Sequence, residues 1–289
     1  MTVNTHQKNW QSLVTDYWKL YQAEYPVIAS EYDPQYRREF ARVGVVDFQR
    51  RYAQDGDFLK RLDAISVEDL YEDDQVSHQV LRRELNLYRD HYELDGHLRP
   101  ALFPFGPETD ISYDGVDRTT LLSIADAEDY LTRMACFPRL FQDTEQRLRL
   151  GLEKGYRLPK VLLEPAISNV LAFTGSCVEN SSWYKPFISP HIAHLPGIVK
   201  LQAEAKQCIC EQIEPAYLEF ARFLREEYAL HCIETLSCCE QPNGRDYYQF
   251  LIRFQTSLDL PPDDIHQPGL DEVDHINQEM EKHVTPYFI

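Results

Sequence analysis

Residues 244–280 read GRDYYQFLIRFQTSLDLPPDDIHQPGLDEVDHINQEM and carry the clearest structural pattern in the chain. After Gly244, apolar side chains recur at the i, i+3, i+4 and i+7 spacing of one helix face. These side chains are Tyr247, Phe250, Leu251 and Phe254. Pro261 and Pro262 end the pattern, so a helix is predicted between the glycine and the two prolines.

The remainder of this stretch predicts two further helices. Asp263 and Asp264 lie where carboxylates stabilise the positive end of a helix, which indicates a one-turn segment after the prolines. Pro268 and Gly269 are expected to stop that segment. A third helix is then expected to begin. Its apolar stripe is Leu270, Val273 and Ile276.

The rest of the chain has the same character, because only eleven of its 289 residues are glycine and apolar residues recur at helical spacing. Helices are predicted over residues 5–23, 33–59, 66–92, 125–138, 138–155, 159–171 and 198–236. Pro215 is expected to kink or divide the last of them. Caps are expected at Asp33, Ser66 and Asp126, and a terminal glycine at Gly155.

Two segments rich in aromatic residues, 95–118 and 175–191, show no sustained period and are predicted to be loops. Neither has the composition of a domain linker. The sequence therefore predicts an all-α fold, an irregular multi-helical array with long aromatic loops, in a single domain over residues 1–289. The first loop, residues 95–118, is also long enough to contact a substrate.

The net charge of -18, from 47 acidic and 29 basic residues, argues against nucleic acid or an anionic membrane surface as the partner. A basic or neutral small ligand is compatible with it. No apolar run reaches the length of a membrane-spanning helix. The N-terminus has neither a basic nor an apolar leader region, so a cytoplasmic location is expected.

The seven cysteines are irregularly spaced, which favours reduced thiols over a disulfide framework. Cys208 and Cys210 would face away from each other on a helix. No second pair of cysteines completes the four ligands that a structural zinc site needs. Cys177 lies in a polar loop, where a nucleophile would still need a histidine partner. A thiol without a catalytic role is the favoured interpretation.

Zinc peptidases often carry H-E-x-x-H on a helix, but none of the ten histidines here is followed by glutamate. His191 and His194 are three residues apart between prolines, with no carboxylate near them in sequence. There is no G-x-S-x-G motif and no glycine-rich phosphate loop. These absences remove support for α/β-hydrolase, kinase and dinucleotide-binding functions.

One weaker metal alternative is a stripe near the C-terminus, at i, i+3, i+7 and i+11 on one helix side. It consists of Glu272, His275, Glu279 and His283. Carboxylate-bridged metal sites use Glu-x-x-His spacing, but they need the motif twice and further carboxylates from other helices. A solvated face of mutually paired side chains is the favoured interpretation.

The head of the 244–280 stretch supplies the candidate substrate-binding residues. Tyr247 fits the apolar stripe, whereas Tyr248 points about a third of a turn away, where its hydroxyl can donate to a ligand. Arg245 lies beside them at the helix start. Tyr248, Tyr247 and Arg245 are therefore the candidates, and a structural hydrogen bond is the alternative role for Tyr248.

The order of these motifs resembles the bacterial family called domain of unknown function 885. Three pieces carry the resemblance: DAEDYLTRMACFPRLFQDTEQRLRLGLEKGYRLPKVLL, EPAYLEFARFLREEY and the 244–280 stretch. The matching positions of the last piece are Gly244, Tyr247, Tyr248, His266 and Gly269. Pro268 departs from the apolar residue usual before that glycine. With the N-terminal helices, the resemblance covers nearly the whole chain.

The resemblance implies roughly twice-longer, α-rich relatives of zinc-dependent peptidases, whose C-terminal half holds a histidine–glutamate metal motif followed by Pro-Gly-His. That half has no counterpart in this sequence, so no metal ligand is assigned here and zinc is implied for full-length members alone. The leading hypothesis is the N-terminal helical half of such a hydrolase, inactive by itself. Its partner would be a catalytic half and its substrate peptide-like. The alternative is a non-catalytic helical binding or scaffold protein, possible as a homo-oligomer.

Overall fold

The computed structural model describes residues 5–102, 106 and 115–284. Helices dominate these residues, in which the one β-type pairing is an isolated bridge between Pro159 and Ile233. The predicted all-α, irregular multi-helical array is confirmed. The α-helices are α1 (Thr5–Glu24), α2 (Pro26–Ala29), α3 (Val45–Asp63), α4 (Glu72–Glu93), α5 (Ile124–Ala135), α6 (Phe137–Glu153), α7 (Leu163–Leu171), α8 (Ile198–Cys208), α9 (Glu214–Glu226), α10 (Gly244–Thr256) and α11 (Pro262–Val284).

The chain divides into two compact units, Met1–Leu236 and Ser237–Ile289. The first unit contains α1 to α9, and the second contains α10 and α11. Compactness alone does not decide whether two units fold together, so the single domain over residues 1–289 stays a prediction. Across the described ranges, no helix combines the length and the apolar character needed to cross a bilayer.

Several local features follow the sequence pattern. α1 ends one residue beyond the predicted bound. Gly155 has a φ of 90°, the left-handed conformation that ends a helix, and it follows α6 as predicted. Before Pro215 the backbone forms a π-helical turn over Ile209–Ile213. Because proline has no N–H, it cannot bond the carbonyl of residue 211, and the helix is divided there.

The single helix predicted over residues 33–59 is wrong, because the structure divides it. Asp33 accepts a hydrogen bond from the backbone N–H of Gln35 at 3.0 Å, but it caps only a 3-10 turn, Pro34–Tyr36. α3 starts later, after the extended N-cap Gly44. The segment between them places the Phe40 ring in the aromatic core, and this burial outweighs a continued helix.

Two predicted caps are also corrected. Ser66 makes no side-chain cap bond and precedes a 3-10 turn, Val67–Asp69, so α4 begins only at Glu72. At α5 the N-cap is Ser123, whose hydroxyl accepts from the backbone N–H of Asp126 at 3.1 Å. The Asp126 carboxylate accepts in return from the N–H of Ser123 at 3.0 Å. This capping box makes Asp126 the third helical residue instead of the cap.

In the second unit, the predicted stop at Pro268-Gly269 is wrong, since α11 continues through both residues. Gly269 does not have the positive φ that ends a helix. Pro268 removes one backbone donor, which weakens a helix by about 3 kcal/mol without necessarily ending it. The expected short helix and third helix are therefore one helix of 23 residues.

Aromatic side chains fill the main core of the first unit. Phe137 is fully buried, with ring centroids 4.8 Å from Phe141, 4.9 Å from Trp183 and 4.8 Å from Tyr217. A smaller apolar cluster lies where α1, α3 and α4 meet. Its buried members are Trp10, Leu13, Phe58, Leu62, Ile65, Leu70 and Leu85.

Candidate functional site

A cavity of about 450 Å³ lies in the first unit. Its walls come from α2, the extended segment 40–43, the segment 97–102 and α6. The volume is within the range usual for small-molecule sites. Most of the surface is apolar, so the cavity suits a ligand with an apolar body. Apolar walls are contributed by Val27, Phe40, Val43, Leu98, Leu140 and Leu148.

The α6 wall follows from helical spacing. Leu140, Thr144 and Leu148 recur every four residues and are buried, and Arg147 lies on the same side. The facing segment reaches α6 because Gly151 has no side chain. A Cβ at that position would lie 2.2 Å from the carbonyl oxygen of Leu98. One glycine thus allows the two walls of the cavity to approach.

Arg147 places a positive charge at this apolar site. Its Nη1 donates to the carbonyl oxygen of His97 at 3.0 Å, and its Nη2 donates to the hydroxyl of Thr144 at 3.2 Å. Its guanidinium lies 5.2 Å from the ring centroid of Phe48. Within the described residues it forms no ion pair with a carboxylate, and its Nε is buried without a hydrogen-bond partner. Burial lowers the pKa of Arg147 to about 10, so it stays charged at neutral pH.

His97 is the second unusual polar residue of the cavity, with 5% of its surface exposed. Its ring stacks between Phe48 at 5.2 Å and Tyr92 at 4.5 Å, measured between centroids. Its Nδ1 is buried without a hydrogen-bond partner. Burial lowers the pKa of His97 to about 4, so the imidazole is neutral at physiological pH.

A second guanidinium also lines the cavity. Arg99 donates from Nε to the carbonyl oxygen of Leu94 at 3.3 Å and lies 4.2 Å from the ring centroid of Tyr156. Two guanidinium groups thus lie in the lining of a mostly apolar cavity, although the whole chain carries -18. The arrangement can bind an anionic group at one end of an apolar ligand.

The shifted pKa of His97 predicts a pH effect on stability. Between about pH 4 and its ordinary pKa of 6.5, the unfolded chain binds a proton that the native protein does not, so His97 lowers stability as the pH falls. His97→Phe keeps the stacked ring and the backbone acceptor of Arg147 but removes this titration. Urea unfolding should show that the substitution raises the free energy of unfolding, relative to the wild type, by more at about pH 4.5 than at about pH 7.5.

The exposed His191 supplies the control for this comparison. His191→Phe makes the same substitution at an exposed side chain and should change stability by the same amount at both pH values. Equal effects of the His97 and His191 substitutions at the two pH values would contradict a buried, neutral His97.

The sequence-predicted substrate residues lie elsewhere, on α10 of the second unit. Tyr248 is 41% exposed. Tyr247 is half-buried, with its ring 5.9 Å from that of Phe250, and Arg245 is exposed. These positions bring an exposed hydroxyl and an exposed guanidinium to the start of one helix. Their role in substrate binding stays a prediction.

The predicted contact loop, residues 95–118, is described in part. Residues 97–99, 101 and 102 and Gly115 line the cavity, which places the described ends of this loop at the candidate site. Residues 103–105 and 107–114 lie outside the described residues. A substrate contact through this loop stays a prediction.

The Glu/His stripe of α11 forms pairs along its own helix. His275 Nδ1 lies 3.5 Å from a Glu272 carboxylate oxygen, and His283 Nε2 lies 3.7 Å from one of Glu279. In the part of the chain that the structure describes, no three His, Cys, Asp or Glu side chains converge to hold a metal. The arrangement matches the solvated, paired face that the sequence favoured, and metal binding there stays an untested alternative.

The other candidates lie where the sequence suggested. All seven cysteines are free thiols, with Cys208 buried and Cys210 exposed on different sides of the helix. Cys177 is exposed and donates from Sγ to the carboxylate of Glu179 at 2.5 Å. His194 contacts the carbonyl oxygen of Pro190 at 3.2 Å. These contacts are local and do not form a site.

Sequence reasoning missed Arg147, His97 and Arg99. The one signal available was Arg147 itself, a charged residue among core positions of α6 that is followed by Leu148 and Gly151. An arginine within an apolar stripe predicts either a snorkelling side chain or a buried cation, and the spacing does not separate them. His97 and Arg99 gave no signal, because they lie in a segment without a period.

The family of this chain follows from its similarity to known proteins. A family model described as "Bacterial protein of unknown function (DUF885)" matches residues 30–287. The chain belongs to this family. The resemblance seen in the 244–280 stretch is thereby confirmed at the level of the DUF885 family. A search of curated proteins gave no match.

Among solved structures, the fold of this DUF885 member is similar to that of "the putative lipoprotein from Colwellia psychrerythraea". The TM-score is 0.82 at 19% sequence identity, over 97% of this chain and 51% of that one. The likeness establishes the shared fold. This chain spans about half the length of that structure.

Proposed function

We propose that this chain is the ligand-binding helical part of a two-part hydrolase of the zinc-peptidase kind, corresponding to the N-terminal half of the longer relatives. A second part carries the metal motif, which this sequence lacks, and the chain alone performs no zinc-dependent hydrolysis. The substrate is peptide-like. The observation that carries the two-part arrangement is the exposure of α11.

α11 is a helix of 23 residues that buries none of its side chains among positions 262–283. One side nevertheless carries a stripe of large apolar residues, such as Val273, which is 55% exposed. The stripe comprises Leu270, Val273, Ile276 and Met280. Protein helices gain most of their stability by packing an apolar face, and Pro268 weakens this one further. The stripe therefore needs a surface to cover it.

The complementary half of the longer family members is the proposed occupant. The similar solved structure is about twice as long as this chain, and the family match extends to residue 287, beyond the end of α11. The cytoplasmic location expected from the N-terminus is part of this proposal. This chain shares the fold of the Colwellia protein, and no role is carried over from it.

The test of this function uses the purified chain and a separately expressed polypeptide with a histidine–glutamate zinc motif, encoded beside it in the genome. The chain with Zn²⁺ should not cleave a library of short peptides. Addition of the companion should give cleavage that a chelator removes. Chelator-sensitive turnover by the chain alone would contradict the proposal.

Substitutions in α11 test the docking surface. Val273→Asp and Ile276→Asp should abolish co-migration with the companion in gel filtration, because each places a charge in the apolar contact. Both positions are exposed, so the fold should be retained, as circular dichroism would show. Gln278→Asp, on another side of α11, adds the same charge and should leave the complex intact.

The alternative function, a non-catalytic helical binding or scaffold protein, predicts a different outcome. The stripe would then join two copies of this chain, and Val273→Asp would convert a stable homo-oligomer into a monomer. If that result is obtained and the genome encodes no companion with a zinc motif, the scaffold function is favoured over the two-part hydrolase.

A further inference from the structure

We propose that the cavity beside α6 binds a small monocarboxylate with an apolar body, whose carboxylate contacts the guanidinium of Arg147. The proposal deepens the ligand-binding part of the proposed function by naming a ligand class. It does not depend on hydrolysis or on a second polypeptide, because binding is measured on this chain alone.

The hydrogen-bond inventory of Arg147 supports an anion at this position. A guanidinium has five N–H donors, and two of these are used, by the carbonyl oxygen of His97 and the hydroxyl of Thr144. Each terminal nitrogen therefore keeps one N–H without a protein acceptor among the described residues. Two such donors in one plane match the two oxygens of a carboxylate.

The surroundings of Arg147 hold the guanidinium in place before a ligand arrives. Its two protein acceptors and the Phe48 ring fix its plane. The Thr144 hydroxyl is itself fixed, because it donates to the carbonyl oxygen of Leu140 at 2.9 Å. A preorganised donor loses little side-chain entropy on binding, which favours a specific contact.

The half-buried Arg147 also lacks the carboxylate partner that structural arginines usually have. Its nearest carboxylate influence is Asp143, which instead pairs with Arg139 at 3.3 Å. The buried Nε of Arg147 has no hydrogen-bond partner, and a partly desolvated guanidinium without a carboxylate partner is costly to the folded protein. A ligand carboxylate would supply that partner and thereby recover part of this cost.

The apolar lining of the cavity determines which group can accompany the ligand's carboxylate. Most of the lining is aliphatic or aromatic, so an extended apolar group gains free energy by leaving water. The acidic chain as a whole disfavours anions in solution, whereas the Arg147 cation in a mostly apolar cavity favours one at this site.

Octanoate and octan-1-ol are suitable probes, since they share an apolar chain and differ in the carboxylate. Isothermal titration calorimetry of the purified full chain should show octanoate bound at least about tenfold more tightly than octan-1-ol, in line with one charged hydrogen-bonded contact. Equal affinity for the two probes, or no binding of octanoate, would overturn the proposal. This comparison uses the unaltered protein and so does not depend on the folding of any variant.

Arg147→Met then assigns the contact. The variant keeps the length and apolar stem of the side chain, and it should lose at least about tenfold in octanoate affinity with octan-1-ol affinity unchanged. Arg222→Met removes an exposed arginine that pairs with Glu219, and it should bind both probes as the wild type does. Retention of the octanoate preference in folded Arg147→Met would overturn the assignment.

The outcomes separate this inference from the proposed function. Octanoate binding without any companion-dependent hydrolysis would leave the ligand class standing and the hydrolase role refuted. Companion-dependent hydrolysis with no octanoate preference would support the hydrolase role and refute the ligand class.

Discussion

Phe137→Ala is expected to destabilise the first unit by about 3–5 kcal/mol, the range for deleting a buried phenylalanine ring. Phe137 is fully buried and contacts Phe141, Trp183 and Tyr217, with ring centroids within 4.9 Å. Its neighbours belong to different helices and turns that cannot all collapse into the space. Urea unfolding followed by tryptophan fluorescence measures the loss.

Val199→Ala is the matched control in the same unit. Val199 is 75% exposed on α8, so its truncation should change the free energy of unfolding by less than about 0.5 kcal/mol. A loss below about 2 kcal/mol for Phe137→Ala would show that the aromatic cluster is loosely packed, contrary to this structure.

Gly244→Ala is expected to disrupt the start of α10, at a cost of about 3 kcal/mol or more. Gly244 is buried, and a Cβ there would lie 1.8 Å from the carbonyl oxygen of Cys238 and 2.9 Å from the Cα of Cys239. Both are backbone atoms, so the clash requires movement of the 3-10 turn Cys238–Glu240. Hydrogen exchange should show lost protection in α10, with the first unit unchanged.

Gly269→Ala tests the same substitution without the clash. A Cβ at Gly269 meets nothing within 4 Å, and the residue lies inside α11 with no positive φ. Alanine is a better helix former than glycine. The free energy of opening of α11, measured by hydrogen exchange, should therefore rise by up to about 1 kcal/mol. Wild-type protection in Gly244→Ala would contradict the close approach of the 3-10 turn.

The predictable features of the fold are those that depend on neighbours in sequence. The bounds of α1, the terminal glycine Gly155 and the division of the helix before Pro215 all follow from helical spacing, left-handed glycine geometry and the missing proline N–H. Each is local, so the chain needs no distant contact to specify it.

One of the failures has a tertiary cause. The helix expected from Asp33 is divided because Phe40 enters the aromatic core, a contact with residues about a hundred positions away. Pro268-Gly269 has the composition of a helix stop, yet α11 continues through it without burying a side chain there, and no tertiary contact of the described residues explains this. Local propensity sets a preference of a few kcal/mol at most, and burial can exceed it.

In the candidate sites, too, local features were predictable from the sequence and tertiary ones were not. The pairing of Glu272 with His275 followed from i, i+3 spacing. The cavity was not predictable, because Arg147 meets His97 across fifty residues of sequence. That meeting depends on the close approach that Gly151 permits.

The sequence by itself determined that this protein is helical, that it belongs to the DUF885 family and that α11 carries an apolar stripe, since periodicity and motif order are properties of the chain. Only the tertiary structure decided which charges are buried. Arg147 became a half-buried cation in a mostly apolar cavity because packing buried its Nε without supplying a carboxylate partner within the described residues. Desolvation depends on everything that surrounds a side chain, and that surrounding is assembled from segments distant in sequence.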